Sequence, residues 1–159
     1  MLAYKLIGAA LIALSGGLTA YSLNKKASDA FLRAEALCRL LEYVKNEIAC
    51  FALPISQILS KADIELLAQC GYVGKNAPQG LMQLCESIRW SDRETKMLME
   101  RFCSEFGRCY KDEQVQRCAY FLSALERRKQ TLEGELPSRK KLNSTLCVSG
   151  SLALLIFFL

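Results

Sequence analysis

The run LIGAALIALSGGLTAYSLN, Leu6 to Asn24, holds 19 residues without a single Asp, Glu, Lys or Arg, and Leu142 to Leu159 holds another 18. A helix that crosses a bilayer core takes about 20 mostly apolar residues, and about 17 at the least. Both ends of the chain therefore read as transmembrane helices, over 1–24 and 142–159. The 117 residues between them, 25–141, suffice for one soluble domain with its own core. Whole-chain composition fits this division. At 52% hydrophobic the chain is too apolar to be disordered, and at 23% charged it is too polar to lie wholly in lipid.

The net charge of +5 points first to nucleic acid, but its location argues otherwise. Five cations, Lys25, Lys26, Arg139, Lys140 and Lys141, stand on the two membrane seams, and 27–138 holds 15 basic against 16 acidic residues. The domain is thus nearly neutral, with no basic face for nucleic acid. Lys and Arg beside a span mark its cytoplasmic side. Both clusters face the central segment, so a two-pass protein of the cell membrane is expected, with its domain cytoplasmic and both termini across the bilayer. The competing reading is a cleaved signal peptide, with Lys5 as its charged start and Ala20-Tyr21-Ser22 as the cleavage site. Lys25 and Lys26 oppose it as a stop-transfer signal.

Seven of the eight cysteines lie in the central segment, an odd set that cannot pair completely within one chain and that suits a reducing compartment. Thiol labelling at Cys38 or Cys85 would report that compartment directly.

Along the domain, Phe31, Ala34, Leu37, Leu41, Val44, Ile48 and Phe51 recur in threes and fours, the mark of one helix face that ends near Pro54. The only interruption expected between Leu6 and Phe51 falls around Ser22 to Ser28. Short helices are predicted over 55–59, 63–69 and 81–88, with 71–80 as an exposed turn rich in glycine. Ser91 to Glu94 reads as a capping box that opens a helix at Ser91, with apolar face Leu98, Phe102 and Phe106 and an end at Gly107. Val115, Cys118, Leu122, Leu125, Leu132 and Leu136 predict a last seam, broken by Lys129, with a bend at Gly134 and Pro137. No alternating pattern of strand type occurs. The expected architecture is an all-α cytoplasmic helical bundle flanked by the two spans.

Chemistry finds little purchase in this chain. It has no histidine, which removes the usual general base and the commonest metal ligand. It has no Cys-x-x-Cys pair and no glycine-rich phosphate loop. No catalytic, metal or cofactor site is expected, and the cysteines read as core thiols. Small residues four apart, Ala9, Ala13 and Gly17 in the first span and Ser149 and Ala153 in the second, would let helices pack closely in lipid, within the chain or in a homo-oligomer. Tyr72, Lys75 and Trp90 around the glycine-rich turn are the candidate partner contacts, although a lone tryptophan in a small helical domain is more often core, the reading favoured for Trp90.

In order and spacing these features resemble the stage III sporulation protein AB family, whose soluble part is similar to the type II secretion system F domain. The resemblance rests on Lys5-Leu6-Ile7-Gly8 at the first span, Leu37, Leu41, Glu47 and Ile48 in the first soluble helix, and the Pro54 turn. It continues through Phe106-Gly107, with Gln114 seven residues on, and the final helix entering a C-terminal span. It implies a non-enzymatic membrane subunit of the channel between mother cell and forespore, with its domain on the mother-cell side. That domain would act as a platform for a secretion-type ATPase and for other membrane subunits. The alternative is a generic two-span adaptor or assembly protein.

Overall fold

The computed structural model describes the backbone of residues 2–106 and 110–158, and side chains over 14–106, 110–154 and 156. Six helices follow one another: α1 (Leu2–Phe51), α2 (Ile55–Lys61), α3 (Ile64–Gln69), α4 (Leu81–Glu86), α5 (Arg93–Glu105) and α6 (Lys111–Phe158). Among the described residues there is no strand, only an isolated antiparallel bridge between Tyr72 and Ile88, and the fold is all-α as the periodicity predicts. The chain forms two compact units, one of Met1–Asp29 with Glu133–Leu159, the other of Ala30–Leu132. We call them the helix pair and the bundle.

In the bundle, α1 buries Ala34, Leu37, Leu41, Val44 and Ile48 of the predicted stripe and adds Ala30, Ala36 and Leu40, with Phe31 only half-buried, so its apolar face is wider than a single seam. Phe51 leaves the stripe and is 67% exposed. It is the last residue of α1, after which Ala52 takes a left-handed φ of 49° and Pro54 cannot continue the helix. No break occurs at Ser22 to Ser28, because Ser28 spends its hydroxyl on the Asn24 carbonyl within the helix, at 3.2 Å.

The capping of α5 differs from the predicted box by one residue. Asp92 is the N-cap, its Oδ2 accepting from the Thr95 amide at 2.8 Å, while Ser91 faces α1 and accepts from Arg33 at 2.7 Å. Asp and Ser cap about equally well, so the choice falls to the cation each can reach. The buried face of α5 is Thr95, Met99, Phe102 and Cys103, with Leu98 and Phe106 only partly covered. The helix ends at Glu105, and the predicted stop at Gly107 lies outside the described residues.

From α6 the bundle receives Cys118, Phe121, Leu125 and Leu132. The Phe102 ring meets Phe121 edge-on at 5.4 Å and Phe106 at 5.1 Å, which joins α5 to α6 at the centre of the core. Such contacts add about 1 kcal/mol each to the burial of the rings. The α6 helix runs without interruption through Gly134 and Pro137, so the expected bend does not break it.

Gly71 has φ +92°, and its carbonyl accepts from the Arg89 amide at 3.0 Å, which turns the chain into the Tyr72–Ile88 bridge. A Cβ there would lie 3.2 Å from the Arg89 carbonyl oxygen. Gly71→Ala is therefore expected to destabilise the bundle by about 1–2 kcal/mol, from the left-handed backbone and the contact together. Urea unfolding followed through Trp90, the single tryptophan, would measure it; an unchanged midpoint would contradict the account.

In the helix pair, α1 and α6 run antiparallel along a seam of small and polar residues. Asn24 Nδ2 donates to Ser144 Oγ at 3.3 Å, and Asn143 Nδ2 donates to Asn24 Oδ1 at 3.2 Å. Two turns along, Gly16 faces Ser151, and any Cβ on Gly16 would collide with the serine hydroxyl. The seam is therefore Gly16, Ala20 and Asn24 against Ser144, Cys147 and Ser151. Within the chain this replaces the predicted set, since Gly17 meets nothing and Ser149 and Ala153 are exposed, on the surface a second subunit would meet; the side chains of Ala9 and Ala13 lie outside the described residues. The reason is periodic: Gly17 shares its face with Tyr21, which would hold the helices apart, whereas Gly16 shares its face with Ala20 and Asn24.

Among the described residues, no helix is long and apolar enough to cross a membrane. Of the two charge-free runs, the side chains described are those of 14–24 and 142–154 together with 156, and the other positions of the expected spans lie outside the described set.

Candidate functional site

The bundle carries its charge chemistry at the linker between α4 and α5. Arg33 on α1 donates from Nη1 to the Ser91 hydroxyl and to the Arg89 carbonyl. Arg128 on α6 holds Asp92 in a bidentate pair, Nε to Oδ2 at 3.0 Å and Nη2 to Oδ1 at 2.7 Å, with side chains only 12% and 13% exposed. Its third nitrogen, Nη1, reaches Glu94 Oε2 at 2.7 Å. Burial alone would raise the Asp92 carboxyl. The Arg128 guanidinium and the Thr95 amide and hydroxyl outweigh it and hold the group down at about 2. The linker is thereby clamped from α1 and from α6.

Beside this clamp lies a groove of about 360 Å³ between α5 and α6, with Leu98 and Ala124 at its floor and Glu94, Tyr120 and Arg127 around it. A second groove, of about 320 Å³, lies where α1 hands over to α2, lined by Leu53, Pro54, Met82 and Phe106. Both are open surface features with too few converging polar groups to orient a small substrate.

The residues predicted to meet a partner take unequal positions. Trp90 is half-buried against the core, its Nε1 donating to the Cys85 carbonyl at 3.1 Å. Tyr72 also packs on the core, donates from its hydroxyl to the Asn76 carbonyl at 2.7 Å, and lies so close over Gly74 that a side chain there would push the ring aside. Lys75 is exposed, as is the neighbouring Val73. Tyr72 is thus committed to the 71–80 turn and Trp90 to the core and the end of α4, and Lys75 and Val73 are what that turn presents.

Cys38, Cys70, Cys85, Cys103 and Cys118 are buried free thiols, whereas Cys50 is exposed. Burial pushes Cys38 and Cys118 up to about 11 and Cys70 up to about 12, so these remain protonated at neutral pH. Cys103 is raised by its hydrogen bond with Cys85 and by burial. Among the described residues no group of three Cys, Asp, Glu or His could hold a metal ion.

The five basic seam residues, Lys25, Lys26, Arg139, Lys140 and Lys141, all belong to the helix pair and are all exposed. Arg139 pairs with Glu135 at 2.6 Å, a contact that also accounts for the otherwise enclosed Glu135 Oε2. Sequence reasoning missed Arg33, Asp92 and Arg128 as a unit. Comparison with known proteins gave no match: no family model fits the chain, and no curated protein and no solved structure is similar to it.

Proposed function

We propose that the chain is a non-enzymatic, two-pass membrane subunit whose helical bundle is a docking platform on the cytoplasmic side. The observation that carries this reading is the distribution of side chains in the helix pair, where the amide side chains face one another, the large aliphatic ones face outward, and the outward Thr19 and Ser149 spend their hydroxyls on carbonyls of their own helices. Leu14, Leu18, Leu23, Leu146, Leu152 and Ile156 are all exposed, while Asn24, Asn143 and Ser144 bond to each other across the seam. In water this arrangement is unfavourable, at about 25 cal/mol for each Å² of apolar surface left exposed. In lipid it is the favourable one, because acyl chains cover the leucines and the amides satisfy each other.

The identity of the partner rests on the sequence resemblance. On that reading the platform meets a secretion-type ATPase and further membrane subunits in the sporulation channel, on the mother-cell side. Purification of the full chain in mild detergent from sporulating cells is expected to bring down that ATPase in stable association. Recovery of the chain without it would remove the platform role and leave a generic two-span adaptor. Topology is tested separately at Cys50, which is exposed where Cys38 and Cys85 are buried and so replaces them as the reporter. A membrane-impermeant maleimide is expected to add a label that depends on Cys50 only after permeabilisation, with Cys50→Ser as the control. Equal labelling in intact cells would place the bundle outside.

A further inference from the structure

The hydrogen bonds of the seam bring together two pairs of lysines that are far apart in sequence. Lys25 and Lys26 directly follow Asn24, and Lys140 and Lys141 shortly precede Asn143. The bond between Asn24 and Asn143, at 3.2 Å, sets both pairs on the same side of the seam. At about 1.5 Å of rise per residue, all four lie within about one helical turn of that bond. All four are exposed, and among the described residues none makes an ion pair with a carboxylate, Asp29 standing one turn on from Lys25 without reaching it and Glu135 pairing with Arg139. Next to the lysines the exposed side chains turn apolar at once, Leu23, Tyr21 and Leu18 on α1 and Leu142 and Leu146 on α6. Cations followed by aliphatic and aromatic side chains is the order of groups met in passing from headgroups into acyl chains.

We propose that Lys25, Lys26, Lys140 and Lys141 form a collar that binds the phosphates of anionic phospholipid headgroups, so that this chain gathers such lipids around itself. The proposal rests on the two-pass reading. The four ammonium groups stand at one level of the pair, Lys26 and Lys141 on its outer faces two residues from Asn24 and Asn143, and such a ring of positive charge attracts an anionic headgroup where a zwitterionic one gains far less. Lysine suits the task, being a compact point charge on a flexible stem that reaches to the headgroup level.

The test reconstitutes the full chain by detergent removal into vesicles of phosphatidylcholine carrying a minority of phosphatidylglycerol. The membrane is then cut into polymer-bounded nanodiscs, and the lipid classes retained with the protein are measured. The wild-type chain is expected to raise the ratio of phosphatidylglycerol to phosphatidylcholine about fivefold over that of the vesicles, the size set by one juxtamembrane cation. The variant K25Q/K26Q/K140Q/K141Q is expected to return it to the vesicle ratio, and high salt to lower it in the wild type. A wild-type ratio equal to that of the vesicles, or enrichment that survives in the variant, overturns the collar while leaving the two-pass reading in place. Failure of the chain to enter the mixed vesicles at all overturns both.

Discussion

Truncation of Phe102 to alanine is expected to cost the bundle about 3–5 kcal/mol. Phe102 is 1% exposed on α5, and its ring is held between Phe106 and Phe121. Phe121 belongs to α6, so the contact joins two helices that share no other aromatic pair among the described residues. Removing the ring sacrifices its burial and its two aromatic contacts and leaves a cavity that surrounding helices can only partly close. A domain of this size is stable by about 5–15 kcal/mol, so the loss takes a large share of what holds it folded. Urea unfolding read through Trp90 is expected to move its midpoint sharply at unchanged slope, and Phe102→Leu, which keeps much of the volume, should move it far less. A loss below about 1.5 kcal/mol for the alanine variant would show that the α5–α6 contact is not the centre of the core.

Much of this core is legible in the order of the amino acids alone, because burial in a helical bundle leaves a spacing of threes and fours. On α1 that spacing names five buried residues correctly and errs at the ends, where Phe31 is half-covered and Phe51 is exposed. On α6 it names Cys118, Leu125 and Leu132 correctly and takes Leu122 in place of Phe121, with Val115 and Leu136 only half-buried. The buried seam is Cys118, Phe121, Leu125 and Leu132, and Arg128 fills the remaining place in the alternation. An arginine in an apolar seam looks like a break in the pattern, but it is the signal of a buried carboxylate elsewhere, since a charge in that place must be paired. Asp92 stands beside the capping serine, and nothing local tells which of the two will cap and which will bind a distant cation. That choice depends on α1 and α6 arriving from opposite ends of the sequence. The helix-pair seam is obscured for a similar reason: Gly16 and Gly17 are equally small, and only the residues one and two turns away, Ala20 and Asn24 against Tyr21, decide which faces inward.

Replacing Asp92 by alanine is expected to destabilise the bundle by about 3 kcal/mol, and the reason lies more in what it leaves behind than in what it removes. The N-cap of α5 disappears, a loss of about 1 kcal/mol. Arg128, only 12% exposed, keeps its charge but loses both bonds of the bidentate pair, retaining Glu94, whose side chain is 67% exposed. A buried cation without its carboxylate is the costly state, so Arg128→Met in the same chain should restore part of the stability even though it removes another native group. If D92A/R128M is instead less stable than D92A by as much as R128M is less stable than wild type, the two residues are not coupled. Acid provides the second arm. The carboxyl ordinarily titrates at 3.8 and is held at about 2 in the fold, so the unfolded chain takes up the proton first as pH falls. The pair then contributes about 2 kcal/mol above pH ~4, and the contribution fades as pH drops through the interval down to about 2. Asp92→Asn should flatten that limb of the stability curve. An acid limb of unchanged depth in the asparagine variant would mean that other carboxylates drive the transition and that the Arg128 clamp is worth less than its geometry implies.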